Sequence, residues 1–197
     1  MVAHPVGVKL DWSRDLSGAV ELRLTRDIAS ISMDCSGIEL VEFHALGGAD
    51  TITVGDLSNT SVRRVNLDLN SNLGTPDGAA DSVVINGTAS ADHVSVSGDS
   101  KGIDVTGLSA TVHIEGSDPA FDTLTLLLGA GDDVGEASNL QAGLIKLTID
   151  GGPGSDVLTG SPGSDILLGG EGDDVLEGGP GFDTLDGGPG SNLLIQD

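Results

Sequence analysis

The chain of 197 residues has few of the side chains that fill a conventional globular core. Aromatic residues make up 2 % of the sequence, and tyrosine is absent. A globular core of this size normally uses more aromatic bulk, whereas a solenoid can bury ladders of Val, Ile and Leu between successive coils. The shortage of aromatics therefore favours a repetitive, elongated core.

Positive charge is also scarce, with 8 Lys and Arg against 31 Asp and Glu and a net charge of −23. A surface of that sign repels phosphate backbones and anionic lipids, so nucleic acid and membrane surfaces are poor partners. No apolar run approaches the length of a membrane span. The first residues, MVAHPVGVKL, lack the basic and apolar regions of a Sec signal. We therefore expect either export without a Sec signal or a piece of a longer protein.

Residues that commonly carry catalysis are sparse. The lone cysteine, Cys35, excludes an intramolecular disulfide and is expected to be a small buried apolar residue. No His-Glu-x-x-His zinc motif is present. Residues 98–102 spell Gly-x-Ser-x-Gly, but no helix pattern follows, so we interpret this nucleophile-elbow motif as a plain turn. The four histidines have no metal-ligand spacing: His4, His44, His93 and His113. The sequence thus predicts no enzyme.

What the chain has in abundance is glycine, arranged in a strict repeat. Five nonapeptides run in one phase from Gly151 to Ile195: GGPGSDVLT, GSPGSDILL, GGEGDDVLE, GGPGFDTLD and GGPGSNLLI. Their template is Gly-Gly-x-Gly-x-Asp-x-U-x, where U is a large aliphatic residue. The first six positions suit a tight turn, and the last three suit a very short strand.

The spacing of oxygen atoms in this repeat suits calcium. The carbonyls of positions two and four and the carboxylate of position six can converge on one side of the turn. Calcium takes roughly six to eight oxygen ligands at about 2.3–2.6 Å, so one nonapeptide supplies about half of a shell. If two nonapeptides make one coil, the other half comes from eighteen residues onward. The pairs are then Asp156 with Asp174, Asp165 with Asp183, and Asp174 with Asn192.

The charge of the repeats also requires a cation. Asp and Glu number ten from Asp150 to Asp197, while no Lys or Arg follows Lys146. These charges repel one another in a segment that has little room for a core. We therefore expect the segment to need calcium in order to fold.

The array resembles the calcium β-roll of RTX toxins, proteases and lipases secreted by Gram-negative bacteria. The resemblance implies that each ion is held by positions two, four and six of one repeat and by positions one, three and six of the repeat one coil later. A first ion would contact Gly152, Gly154, Asp156, Gly169, Glu171 and Asp174; a second Ser161, Gly163, Asp165, Gly178, Pro180 and Asp183; a third Gly170, Gly172, Asp174, Gly187, Pro189 and Asn192.

Two positions depart from the template, and one loop extends it. Ser161 replaces the second glycine of repeat two, which a turn tolerates. Asn192 replaces the fifth aspartate, so the third ion should bind more weakly. An additional ion is possible at the junction with the upstream sequence, where the spacing is 23 residues instead of eighteen. There Gly129, Gly131 and Asp133 would face Gly151, Pro153 and Asp156.

The sequence before the nonapeptides carries a longer, degenerate repeat. Asp81 and Asp92 each open an alternating strand segment, and Asp122 and Asp133 repeat them 41 residues later. A shift of 42 places Glu39 and Asp50 in the same roles. Third strands end in the tripeptides NLD, HIE and TID, at residues 66–68, 113–115 and 148–150. Without the full glycine frame, we expect Asp50, Asp81, Asp92 and Asp122 to be strand-start caps.

Together these patterns predict an all-β fold, a right-handed parallel β-helix running into a C-terminal calcium-binding β-roll. Residues 1–38 would form N-terminal strands or a cap, residues 39–150 the degenerate repeats, and residues 151–197 the roll with a short tail. The alternative is an antiparallel sandwich, which also has many short strands separated by turns. The 41-residue offset favours the solenoid.

The function that these observations predict is a non-enzymatic, calcium-induced folding module that binds Ca²⁺. The RTX resemblance implies secretion to the extracellular space, with the type I secretion machinery as a possible partner. We expect a monomer or weak self-association. The alternatives are a surface or adhesive β-helix module that calcium stiffens, and a polysaccharide-active β-helix enzyme.

Overall fold

A computed structural model of the protein describes residues 7–14, 20–26, 31–35, 37–71 and 73–197. In these ranges all regular secondary structure is β-strand, and no helix there could span a membrane. The expected burial of Cys35 lies outside what the structure describes. The strands are β1 (Gly7–Arg14), β2 (Val20–Arg26), β3 (Ile31–Cys35), β4 (Leu40–Leu46), β5 (Thr51–Val54), β6 (Arg64–Ser71), β7 (Ser82–Thr88), β8 (His93–Asp99), β9 (Gly102–Thr106), β10 (Thr111–Glu115), β11 (Thr123–Gly129), β12 (Val134–Leu140), β13 (Lys146–Pro153), β14 (Val157–Thr159), β15 (Ile166–Glu171), β16 (Val175–Glu177), β17 (Thr184–Asp186) and β18 (Leu193–Ile195).

The strands form two nine-stranded sheets that enclose one apolar core. The first sheet has the order β17-β15-β13-β11-β7-β5-β1-β2-β3, and the second has the order β18-β16-β14-β12-β8-β9-β10-β6-β4. From β11 onward the chain alternates between the sheets and every pair within a sheet is parallel. The predicted all-β fold with parallel coils is confirmed.

The nonapeptides pair with an offset of eighteen residues, so two of them complete one coil. Val157 pairs with Val175, and Ile166 with Thr184. The aliphatic residue at position eight of each repeat points inward because side chains alternate along a strand. Leu158, Leu167 and Leu176 are therefore fully buried in the core. The very short strands derive their stability from this stacked ladder and not from their own length.

The part of the chain before β11 departs from regular coiling through antiparallel strands. β1, β2 and β3 pair antiparallel with one another, and β9 lies antiparallel between β8 and β10. Residues 98–102 make the hairpin between β8 and β9, in which Asp99 pairs with Gly102. The Gly-x-Ser-x-Gly motif is thus a turn between strands, as predicted, and lacks the strand-to-helix geometry of a nucleophile elbow.

The long upstream repeat is partly reflected in the strand pairing. Ser82 pairs with Thr123 and His93 with Val134, which is the predicted offset of 41. The shift of 42 was wrong, because Asp50 precedes a strand that pairs 31 residues onward, with Thr51 beside Ser82. The tripeptides at residues 66–68 and 113–115 do align in β6 and β10, but that at residues 148–150 lies in the other sheet. The division into three segments stays a prediction.

Candidate metal centre

Aspartates at the strand starts form ladders that connect successive coils. In each ladder the backbone N–H of one aspartate donates to the Oδ1 atom of the corresponding residue in the next coil. The N–H of Asp156, for example, lies 2.9 Å from Oδ1 of Asp174. We name three rows. The long row is Asp92, Asp133, Asp156, Asp174 and Asn192; the short row is Asp165 and Asp183; the upstream row is Asp50, Asp81 and Asp122.

Three aspartates of the long row have a second carboxylate oxygen that lacks a donor, whereas that of Asp92 accepts the N–H of Thr88. The Oδ2 atoms of Asp133, Asp156 and Asp174 are buried and have no hydrogen-bond partner. These three residues are at most 1 % exposed. A buried carboxylate oxygen without a donor is costly unless a proton or a cation compensates it. The long row therefore presents three stacked oxygens that require positive charge.

The electrostatics of the long row show the same requirement. Burial, together with the neighbouring carboxylates of Asp133 and Asp174, raises the pKa of Asp156 to about 6. Burial likewise raises the pKa of Asp133, with Asp92 and Asp132 adding to the effect. A cation bound between these carboxylates would lower both pKa values, because its positive charge stabilises the ionised form of each aspartate.

The loops beside the long row nest so closely that main-chain carbonyls approach the next coil. A β-carbon at Gly170 would overlap the carbonyl oxygen of Gly152, and one at Gly172 would overlap that of Gly154. Positions two and four of a repeat thus direct their carbonyls at the loop one coil later. Since the described residues contain no cluster of three or more His, Cys, Asp or Glu suited to a metal, any ion here depends on such carbonyls together with the aspartates.

Comparison with known families decides what the repeats are. A family model described as the RTX calcium-binding nonapeptide repeat, in four copies, matches residues 148–176 and 168–195. These residues are RTX repeats. RTX nonapeptide repeats bind calcium ions and form a β-roll, so the predicted family and the predicted Ca²⁺ are confirmed. Comparisons with the curated proteins and with the solved structures gave no match.

The first and third predicted ligand sets of the RTX repeats lie in adjacent loops of the long row. Oδ2 of Asp156 faces the backbone of Gly151, and Oδ2 of Asp174 faces that of Gly169. The carbonyl of Glu171 accepts the N–H of Gly154 at 2.8 Å, and that of Pro189 accepts the N–H of Gly172 at 2.9 Å. The structure thus brings together Gly152, Gly154, Asp156, Gly169, Glu171 and Asp174, and likewise Gly170, Gly172, Asp174, Gly187, Pro189 and Asn192.

The loop before the RTX repeats has the same backbone geometry as the repeats themselves. Gly129 and Gly131 have φ values of 109° and 138°, close to those of Gly170 and Gly172 at 107° and 140°. β-carbons at Gly152 and Gly154 would overlap the carbonyl oxygens of Gly129 and Gly131. Asp133 donates its N–H to Oδ1 of Asp156 at 2.8 Å. The five extra residues are absorbed elsewhere in this coil, and Gly129, Gly131, Asp133, Gly151, Pro153 and Asp156 come together.

The second predicted ligand set lies on the other edge of the roll, where the carboxylates already have donors. Ser161 donates its N–H to Oδ2 of Asp165 at 2.6 Å and its hydroxyl to both oxygens of that residue, at 3.1 and 2.9 Å. Gln196 donates its amide to Oδ2 of Asp183 at 2.8 Å. The sequence marked Ser161 as a departure from the template but gave no signal for Gln196. The set of Ser161, Gly163, Asp165, Gly178, Pro180 and Asp183 stays a prediction.

Replacing Asp81 in the upstream row should remove a pH-dependent weakness of the protein. Burial, together with the carboxylates of Asp122 and Asp50, raises the pKa of Asp81 to about 7. Since an unfolded aspartate titrates near about 3.9, the folded state holds this proton more tightly, and stability is lost as the pH rises from about 4 to about 7. Asp81→Asn should raise the free energy of unfolding at pH 8 by on the order of 2 kcal/mol, with a clearly smaller gain at pH 5, where only part of the loss has occurred.

The measurement is urea unfolding at pH 5 and pH 8 in chelator. Asp99→Asn is the control, because Asp99 is exposed in the hairpin turn and its Oδ1 accepts the N–H of Lys101, which an asparagine oxygen can also do. An equal gain at both pH values for Asp81→Asn would show that charge is not the cause.

Proposed function

We propose that the chain is a non-enzymatic module of a secreted protein, in which calcium completes the folding of the RTX repeats. The observation that carries this proposal is the stack of three buried, donor-free carboxylate oxygens on Asp133, Asp156 and Asp174. They lie beside carbonyls of the nested glycine loops. This is the hard oxygen environment that calcium prefers.

Three ions would fit between the successive loops of the long row. The loop at residues 129–133 and the loops of repeats one, three and five would hold them through position-six side chains and main-chain carbonyls. When bound, calcium supplies the positive charge and the oxygen coordination that the donor-free atoms lack. The last position should be the weakest, because Asn192 brings no charge and its amide already donates to the carbonyl of Gly188 at 2.9 Å.

Folding and metal binding are coupled in this proposal because the sites form only when coils stack. Each ligand set takes residues from two coils, so the unfolded chain has no preformed site. Without cations the acidic residues from Asp150 to Asp197 repel one another. RTX repeats are typical of secreted bacterial proteins. A chain that stays unfolded at low cytosolic calcium and folds outside the cell suits export by type I machinery.

Neither alternative function has a specific observation in its favour. The RTX repeat is a non-enzymatic calcium-binding repeat, and the nucleophile motif at residues 98–102 is a hairpin turn. A polysaccharide-active enzyme would need catalytic groups placed around a substrate cleft, and that hairpin turn supplies none.

A calcium titration of the metal-stripped full chain, followed by far-UV circular dichroism, tests the proposal. We expect a cooperative gain of β signal with calcium, and little change with magnesium, which demands smaller octahedral sites. The midpoint of thermal unfolding should rise with calcium concentration, because the ion binds only the folded state. A full β signal in chelator that calcium leaves unchanged would contradict calcium-induced folding.

A further inference from the structure

The two edges of the roll differ in how their carboxylates are satisfied. On the long row Asp156 and Asp174 each use one oxygen in the ladder and leave the other without a donor. On the short row all four carboxylate oxygens have protein donors. Those of Asp165 accept from Ser161, and those of Asp183 accept from the N–H of Asp165 and from Gln196.

The backbone of position two explains the difference. On the long row this position is a glycine in the left-handed region, with φ of 95° at Gly152 and 107° at Gly170. In that conformation its N–H does not reach the aspartate four residues later, whose Oδ2 stays without a donor. Ser161 is not among the positive-φ residues, and its N–H bonds Asp165.

The same bond occurs at two upstream aspartates whose residue four positions earlier is not glycine. The N–H of Thr88 donates to Oδ2 of Asp92 at 2.7 Å, and that of Asp118 donates to Oδ2 of Asp122 at 2.6 Å. These aspartates lack the glycine frame and act as strand-start caps. Repeat two therefore has a nonapeptide sequence but the hydrogen bonding of these upstream loops, which lack the glycine frame.

The hydroxyl of Ser161 gives the carboxylate of Asp165 further hydrogen bonds. It lies within hydrogen-bond distance of both oxygens of Asp165, and it accepts the N–H of Gly163 at 3.0 Å. Ser161 and Asp165 are each only 3 % exposed. A hydroxyl held by a donor on one side and donating on the other is fixed in place, so it satisfies the buried carboxylate without a cation.

We propose that Ser161 takes the place of a calcium ion on the short row, so that this edge is locked without metal while the long row requires it. The proposal rests on the proposed function for the long row, and it replaces the second ion predicted from the sequence. Within the nonapeptide, glycine at position two thus marks a calcium site, and serine at position two marks a site that hydrogen bonds hold without metal. We call the contact between Ser161 and Asp165 the metal-free staple.

The test compares Ser161→Gly, Ser161→Ala and the control Ser164→Gly in the full chain. Ser164 is exposed in the same loop. Its replacement by glycine gives the unfolded chain the same additional backbone freedom as Ser161→Gly does. Two quantities are measured, the number of calcium ions bound at saturation by equilibrium dialysis and the thermal midpoint in chelator. We expect Ser161→Gly to bind one ion more than wild type, because glycine can release Oδ2 of Asp165.

Ser161→Ala keeps the backbone but removes the hydroxyl, so it should bind no additional ion and should lower the chelator midpoint by about 2–4 °C. Ser164→Gly should bind the same number of ions as wild type. An unchanged ion number in Ser161→Gly would overturn the proposal. So would an Asp165→Asn variant that binds one ion fewer than wild type.

The two readouts separate this proposal from the proposed function. If wild type binds no calcium, the proposed function fails. The metal-free staple is then judged by the chelator midpoint alone, since Ser161→Ala must lower it while Ser164→Ala must not. If wild type binds calcium but Asp165→Asn removes an ion, the proposed function holds and the staple is wrong.

Discussion

Replacing Gly172 with alanine is expected to separate two coils of the roll and to abolish calcium binding between them. Gly172 has a φ of 140°, and a β-carbon there would overlap the carbonyl oxygen of Gly154. Both the conformation and the contact exclude a side chain, and the obstructing atom belongs to the main chain and cannot rotate away. The loss in free energy of unfolding should be at least about 3 kcal/mol. Thermal unfolding with and without calcium measures it.

Gly143→Ala is the matched control for Gly172→Ala. Gly143 also has a positive φ, 72°, but no atom lies within 4 Å of the position its β-carbon would take. The free energy of unfolding of Gly143→Ala should fall only by what a left-handed alanine costs, about 1–2 kcal/mol. This variant should bind as many ions as wild type. If both variants lose the same stability and neither loses an ion, the nested carbonyls are not what holds the roll together.

Asp174→Asn should have opposite effects on the metal-free and calcium-bound protein. Asp174 belongs to both the first and the third ligand set, so two ions should each bind at least about tenfold more weakly, about 1.4 kcal/mol per site. The metal-free protein should become no less stable, because asparagine needs no cation. Asn192 shows how: its Oδ1 accepts the N–H of Asp174 at 2.8 Å, while its amide donates to the carbonyl of Gly188.

Asp173→Asn makes the same change of charge one residue away. Asp173 is exposed, and its Oδ1 accepts the N–H of Ser191 at 2.8 Å, which asparagine can also do. Calorimetric titration of both variants should show weak binding in Asp174→Asn and near-normal binding in Asp173→Asn. Equal weakening in the two would mean that net acidity attracts calcium without specific ligands.

The roll could be predicted from the sequence because each short repeat contains the signals for its own turn and strand, and the repeats have one constant length. Each nonapeptide contains its own turn glycines, its strand-start aspartate and one inward aliphatic residue. The period then fixes the partner eighteen residues away. The pairings of Val157 with Val175 and of Asp156 with Asp174 follow from that period alone. Five copies in one phase leave no choice of register.

The upstream strands could not be placed in the same way because their loops differ in length. The shift of 42 assigned Asp50 to the row of Asp92, yet its N–H donates to Asp81. The insertion of β9 between β8 and β10 adds antiparallel strands to one sheet only, and no short motif specifies such a choice. The sequence showed that Ser161 departs from the template. Whether the site then still binds an ion, or has its carboxylate satisfied by serine, depends on the φ angle of this residue, which the sequence does not give.

The unbroken ladder from β11 to β18 gives the roll a direction of assembly. β13 already pairs with β11 upstream and offers its free edge to β15, so the first repeat adds to an existing template and avoids the entropy of starting a sheet from disordered chain. Burial of the inward leucines falls toward the other end, from complete at Leu176 to 46 % exposed at Leu194. Within residues 151–195, coils should thus be added in sequence order, each on the edge of the coil before it.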